Sequence, residues 1–224
     1  MPFSLKKLPQ YTKKDEIWNS ITHLVGFLLS LGILIFFIIK NISAKILFLK
    51  MCPYYVYTLT MMIVFAISTL YHSSKLNSKT RLVFRILDHS DIYLFVFGTY
   101  FPICMYGMIG KPLGLPMIIT LLVFTIIGVL INTIPYSNKL LKSIGYVIYI
   151  VEGWALLLFL PFGVRVPMNV FWPILIGGIV YSIGAILYAI GKKKIFFHTI
   201  FHIFVLLGAV IQFVGIYNLL IFNL

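Results

Sequence analysis

The chain has 224 residues, of which 61% are hydrophobic and only 10% are charged, and its mean hydropathy is +1.05. A soluble domain of this length is roughly half apolar and one quarter charged, so this composition excludes a soluble globular protein and indicates lipid as the surrounding solvent. At about 20 residues per crossing, the chain can form about seven membrane-spanning helices. We therefore predict an all-α integral membrane protein, a seven-transmembrane helix bundle.

The net charge of +13 raises the question of nucleic-acid binding. The Lys and Arg residues, however, stand in short clusters between apolar runs, where membrane topology and anionic lipid headgroups explain them. The sequence contains no basic face or nucleic-acid-reading motif outside the membrane. The expected partners are therefore membrane lipids and not nucleic acid. The two cysteines form no CxxC pair, so no thiolate metal site is indicated.

Seven apolar runs predict the helices in chain order. Lipid cannot form hydrogen bonds with backbone polar groups, so a continuous helix, which satisfies them internally, is favoured. The predicted spans are 17–39, 52–72, 88–109, 113–134, 143–162, 170–190 and 197–222. Residues 1–15 are predicted as a cytoplasmic tail and residues 16–224 as the seven-helix domain. Thirteen of the 18 Lys and Arg residues fall in the tail and in the loops after the second, fourth and sixth spans. This bias predicts a cytoplasmic N-terminus and an external C-terminus.

The histidines all fall at predicted cytoplasmic helix ends. They are His23, His72, His89, His198 and His202. Polar side chains inside a membrane protein are costly enough to need a functional or structural reason. This clustering therefore points to a single polar site at the cytoplasmic side of the bundle.

The segment FHTIFH provides the strongest part of this pattern, because a spacing of four places His198 and His202 on one helical face. Two neutral imidazoles on one face can bind a metal such as zinc, with other helices completing the tetrahedron. His72 stands at a similar depth and can supply a third imidazole. The alternative is that these histidines only form hydrogen bonds between helices.

Further polar residues stand at the same edge. Asp88 could bind the metal or accept a proton from water, or it could only cap the third helix. Ser68 shares a helix face with His72. Glu16, Asn19 and His23 share a face of the first helix and could orient metal ligands, although Glu16 could equally belong to a solvated helix start.

Together these residues resemble the hemolysin III family, within the larger superfamily of progestin and adipoQ receptors (PAQR). The matching pieces are ExxNxxxH at Glu16, Asn19 and His23, SxxxH at Ser68 and His72, LDHS at 87–90, and HxxxH at His198 and His202. The resemblance implies seven helices, a zinc ion held by His72, His198 and His202, and Asp88 close to that zinc. Its bacterial branch implies a multi-pass protein of the bacterial plasma membrane. The superfamily is also similar to alkaline ceramidases, which implies hydrolysis of lipid amides.

Two acidic residues depart from the family pattern. Asp91 stands where the family usually has a small residue, and Glu152 precedes Gly153 and Trp154 where an apolar residue is expected. Glu152 lies about 15 Å beyond Lys142, near the bilayer midplane. It is either a residue that lines a substrate cavity or a neutral buried acid that is bonded to a neighbouring helix.

These observations leave several functions open. The first is a zinc-dependent hydrolase of lipid amides or esters, with Asp88 as general base, Ser68 bonding the developing oxyanion, and the acyl chain in the bundle core. The second is a receptor or membrane-stress sensor with a structural zinc. The third is a pore-forming cytolysin, which would need a polar lining across the bilayer.

Overall fold

A computed structural model describes residues 11–110, 113–133, 139–191 and 196–223 as a bundle of α-helices. The helices are α1 Lys13–Ser43, α2 Phe48–Ser73, α3 Lys79–Pro102, α4 Gly114–Thr133, α5 Lys139–Gly153, α6 Ala155–Phe159, α7 Met168–Gly191 and α8 Phe197–Phe222. A π-helical turn, Ile103–Gly107, follows α3, and a 3₁₀ turn, Leu160–Phe162, follows α6. Two short antiparallel strands, β1 Ile109–Gly110 and β2 Val164–Arg165, pair at the end of the bundle opposite the histidines.

Five of the described helices are long and apolar enough to cross a membrane, and the bent pair α5–α6 makes six if it forms one span. Helix α3 has 24 residues but carries Arg81, Arg85, Asp88 and Asp91, and it is not among these spans. The helical class and the multi-pass membrane character are therefore confirmed. The count of seven spans and the orientation of the termini stay predictions.

Helix α3 begins nine residues earlier than expected. Ser78 is its N-cap, and the Ser78 hydroxyl accepts the backbone N–H of Arg81 at 3.0 Å. Asp88 consequently lies in the interior of the helix, and its interpretation as an N-cap is wrong. Apolar runs mark the part of a helix that contacts lipid, whereas this helix continues into the polar interface. Arg81 and Arg85, expected in a loop, are thus helical.

The predicted fifth span is not one continuous helix, because α5 and α6 are bent by 69° at Gly153 and Trp154. A break at membrane depth frees backbone groups that lipid cannot satisfy. The hydroxyl of Tyr100, from α3, lies at this break. It donates to the carbonyl of Gly153 at 2.8 Å and accepts the N–H of Leu156 at 3.5 Å. The sequence of α5 and α6 alone cannot reveal this, since the compensating group comes from α3.

Glu152, the residue before the break, is fully buried and bonded to α4. The hydroxyl of Thr125 donates to its Oε1 at 2.5 Å. Its neighbours Gly153 and Trp154 are among the residues that line a cavity between α3, α5, α7 and α8, whereas Glu152 itself does not line it. The carboxyl group therefore connects α4 to the broken helix.

Replacement of Glu152 by Ala is expected to lower the melting temperature of the detergent-purified protein, because the Thr125 hydroxyl loses its acceptor in a buried site. The free energy of unfolding is expected to fall by about 1–3 kcal/mol. Glu152→Gln retains a carbonyl oxygen that accepts the same bond and is expected to unfold close to wild type. Equal destabilisation by Ala and Gln would contradict a role that depends on this hydrogen bond.

Each of α1 to α4 packs against the helix that follows it, α7 packs against α8, and α1 also contacts α8. The buried hydrophobic core is rich in aromatic side chains, including Phe37, Tyr57 and Phe65. A cavity of about 310 Å³ lies between α3, α5, α7 and α8. We call it the aromatic cavity, and its lining includes Phe95, Tyr149, Trp154, Tyr181 and Gln212.

Candidate metal centre

The first turn of α8 is held by α1. Phe196 precedes the helix in a left-handed conformation with φ 65°, and its backbone N–H donates to Asp15 Oδ1 at 2.9 Å. Asp15 itself forms a capping box with Thr12 at the start of α1. This contact fixes the level of α8 relative to α1 and α2, and so fixes the level of His198 and His202.

Three imidazoles meet at this end of the bundle. The Nε2 atom of His198 lies 3.0 Å from Nε2 of His202 and 3.2 Å from Nε2 of His72. These three residues offer ligand atoms that all lie within 4.8 Å of one another. His72 and His202 are buried, and His198 is half-buried. We refer to the three residues as the histidine triad.

The chemistry of the triad favours a cation over hydrogen bonds alone. An imidazole nitrogen has a single in-plane position, which holds either a proton or a lone pair. Nε2 of His198 faces two other imidazole nitrogens and cannot form a linear hydrogen bond with both. A metal ion between the rings accepts one lone pair from each residue, so the triad could hold a metal.

His72 is oriented from α1. Its Nδ1 lies 2.7 Å from Glu16 Oε2, and the amide nitrogen of Asn19 lies 3.4 Å from the same Nδ1. A proton on Nδ1 that is donated to the carboxylate leaves the Nε2 lone pair directed at the triad, which is the arrangement that supports metal ligands. Asn19 is held in turn by the hydroxyl of Thr199, which donates to its Oδ1 at 2.6 Å.

Arg81 completes this arrangement and was not anticipated from the sequence. Its side chain is fully buried and forms an ion pair with Glu16. It also donates to the carbonyls of Tyr71 and Ser74 at 3.1 and 3.0 Å, and it stacks on the Tyr71 ring. Arg81 therefore fixes both the end of α2 and the carboxylate that orients His72. The sequence offered only a basic residue near the membrane interface, which topology already explained.

The other predicted site residues are not members of the triad. The ring of His23 packs 3.8 Å from that of His202, between centroids. Ser68 is buried one turn from His72. Asp88 is not in the group of converging ligand atoms, and its nearest described ionic contact is His89 Nδ1 at 3.7 Å. Among the described residues, Asp88 is thus not a fourth member of this group.

Comparison with known proteins places the chain in a family. The family described as Haemolysin-III related matches residues 11–213. The chain belongs to this family. Hemolysin-3 of Bacillus cereus is 34% identical over 217 residues, which cover 95% of this chain and 94% of that protein. The Hemolysin-3 homolog of Bacillus subtilis (strain 168) is 32% identical, over 91% of this chain and 93% of the relative.

A more distant relative extends the comparison of this haemolysin-III related chain beyond bacteria. The adiponectin receptor protein of Drosophila melanogaster is 25% identical over 92% of this chain and 50% of that protein. The resemblance to the hemolysin III family, within the PAQR superfamily, is therefore confirmed. The family and the apolar helices together establish a multi-pass integral membrane protein.

Proposed function

We propose that this protein is a zinc-dependent hydrolase of lipid amides or esters in the bacterial plasma membrane. The observation that carries the proposal is the convergence of three buried or half-buried imidazole nitrogens from α2 and α8. The Bacillus relatives support the location. The receptor with a structural zinc remains the principal competitor, and the chelation experiment below separates the two.

The spacing of the triad supports zinc as its metal. Tetrahedral zinc with Zn–N bonds of about 2.0–2.1 Å places ligand nitrogens about 3.3 Å apart. The two contacts of His198 Nε2, at 3.0 and 3.2 Å, are close to that separation. Three protein ligands leave a fourth coordination position, which is typical of catalytic and not of structural zinc sites.

When bound, zinc would polarise an acyl carbonyl and activate water for attack. The histidine triad would hold the ion, and Glu16 would keep His72 in the tautomer that binds it. Asp88, on the helix next to α2, would accept the proton of the attacking water and return it to the leaving group. Ser68 has a buried hydroxyl without a described hydrogen-bond partner, and it would donate to the developing oxyanion.

Hydrolysis is tested with the purified, zinc-loaded protein in detergent. Zinc content is measured by elemental analysis, and turnover is measured across ceramides, other N-acyl lipids and phospholipids. We expect about one zinc per chain and turnover of at least one lipid class. A zinc-loaded protein without turnover across the whole panel would refute the hydrolase.

Chelation is expected to stop turnover while the bundle stays folded. The core of the described bundle is formed by aromatic and aliphatic packing that does not include the triad, so loss of the metal removes only the binding free energy of the metal. The melting temperature should fall modestly and recover with turnover when zinc is restored. Cooperative unfolding on chelation, measured by circular dichroism, would instead support a structural zinc.

A lytic activity is a second candidate, favoured by the name of the Bacillus cereus relative, Hemolysin-3. A pore needs a polar lining across the bilayer, and the buried core of the described residues is predominantly apolar. Dye leakage from liposomes that contain the wild-type protein, with and without chelator, tests this candidate. Leakage that persists in chelator would support a pore, whereas leakage that needs zinc would follow from lipid hydrolysis.

A further inference from the structure

The ring of Tyr11 covers part of the histidine triad from outside the helices. Tyr11 precedes Thr12, the N-cap of α1, and belongs to no helix itself. Its ring stacks on that of His198, with 4.7 Å between the centroids and 14° between the planes. The same ring lies 5.8 Å from that of His72, at an interplanar angle of 56°. One side chain therefore contacts triad members on both α2 and α8.

A second tyrosine, Tyr188 of α7, contacts the same imidazole. Its ring centroid lies 5.2 Å from that of His198. A side-chain hydrogen bond joins Tyr188 to Tyr11. His198 is half-buried, whereas His72 and His202 are buried. The two tyrosines, which we call the tyrosine pair, thus cover the triad member that lies nearest to the surface.

The interior side of the triad is closed by core packing. The ring of His23, on α1, lies 3.8 Å from that of His202 and meets the Phe65 ring edge-on at 5.1 Å. Both His23 and Phe65 are buried. His202 is also one turn further into α8 than His198. An ion that came from this side would have to displace core side chains, so the tyrosine pair lies on the easier route to the triad.

Tyr11 can uncover His198 without disturbing the bundle. Rotation about the side-chain torsions χ1 and χ2 is enough to lift its ring. The capping box that begins α1 is formed by Thr12 and Asp15 and does not include Tyr11. Opening therefore breaks the ring contacts and one hydrogen bond but no helical hydrogen bond. An aromatic contact of this kind is strong enough to slow opening by about two- to tenfold.

We propose that Tyr11 is a gate that controls how fast a metal ion enters and leaves the histidine triad. When the gate is closed, its ring shields His198 and His72 from water and from competing ligands. When it is open, an ion reaches His198 first and then the buried imidazoles. Tyr11 supplies no ligand atom to the triad, so a gate changes the rates of entry and exit by the same factor and leaves the affinity unchanged. The inference requires a metal in the triad but not hydrolysis, and so goes beyond the proposed function.

Zinc exchange by the full-length protein in detergent tests the gate. Stopped-flow mixing of zinc-loaded protein with excess chromogenic chelator measures release, mixing of zinc-free protein with zinc measures uptake, and chelator competition measures the equilibrium affinity. We expect Tyr11→Ala to release and take up zinc about three- to tenfold faster than the wild type, with an affinity that stays within about twofold. Tyr11→Phe is the matched control, since it keeps the stacked ring and loses only the hydroxyl, and it should be accelerated less.

Two results with these variants would overturn the inference. Exchange that is no faster in Tyr11→Ala than in Tyr11→Phe would mean that the ring does not limit access. Faster release with unchanged uptake, and hence a lower affinity, would mean that Tyr11 only holds His198 in position.

The other half of the tyrosine pair provides a second variant. If circular dichroism shows that Tyr11→Ala does not fold, Tyr188→Ala should accelerate release and uptake together, and wild-type exchange rates in that variant would overturn the gate. None of these measurements needs a lipid substrate. A protein that hydrolyses no lipid can therefore retain the gate, and a hydrolase whose zinc exchange is insensitive to Tyr11 loses only the gate.

Discussion

Replacing His202 by Ala is expected to abolish zinc binding and lipid hydrolysis together. Its Nε2 lies 3.0 Å from that of His198, so the substitution removes one of the three converging ligands. Loss of a residue that only supports a metal ligand costs about 10–100-fold in affinity, and loss of the ligand itself should cost at least about 100-fold. Elemental analysis of the purified variant and a zinc titration against a competing chelator measure this loss.

His89→Ala is the matched control, because His89 lies at the same end of the bundle but has a side chain that is 49% exposed and stands outside the triad. It should retain zinc and turnover. If His202→Ala binds zinc as tightly as His89→Ala does, the triad is not the metal centre. A folded His202→Ala protein, shown by an unchanged circular dichroism spectrum, makes the comparison valid.

Replacing Arg81 by Leu is expected to destabilise the protein and weaken zinc binding at once. The substitution leaves Glu16 as a buried carboxylate without its cation, and breaking a buried ion pair on one side costs about 3–5 kcal/mol. The same carboxylate orients His72, so zinc affinity should fall by about 10–100-fold. Thermal unfolding and chelator competition measure the two effects.

A double variant separates stability from positioning. Arg81→Leu with Glu16→Leu removes both charges, so much of the stability should return, while zinc affinity stays low because nothing orients His72. Arg85→Leu, one turn further along α3, should lower stability and zinc affinity less than Arg81→Leu does. Full zinc affinity in the double variant would contradict the role of Glu16 and Arg81 in positioning His72.

Much of the fold follows from composition and hydropathy, since a chain this apolar has few alternatives to membrane helices. The start of α3 and the bend after Gly153 do not follow from them. Hydropathy detects contact with lipid, so it missed the interfacial turns that Ser78 caps. The break in the fifth span is stabilised by Tyr100 from another helix, and a local pattern cannot report a distant hydrogen bond.

The candidate site, like the fold, could be predicted only in part from the sequence. A spacing of four places His198 and His202 on one helix face without any tertiary information. His72 could be added only by estimating its depth in the membrane, and the structure brings it to 3.2 Å from His198. Arg81 could not be found from the sequence, because its burial depends on how α2 and α3 pack against α1. Its pairing with Glu16 is a property of three helices together.

The contact between α1 and α8 has a consequence for biosynthesis. His198 follows His72 by 126 residues, and α8 reaches its level through the bond between Phe196 and Asp15. During translation, α1 and α2 enter the membrane long before the ribosome reaches α8. A nascent chain therefore offers one imidazole of the histidine triad, so a metal held by all three residues would be loaded only after α8 has been inserted.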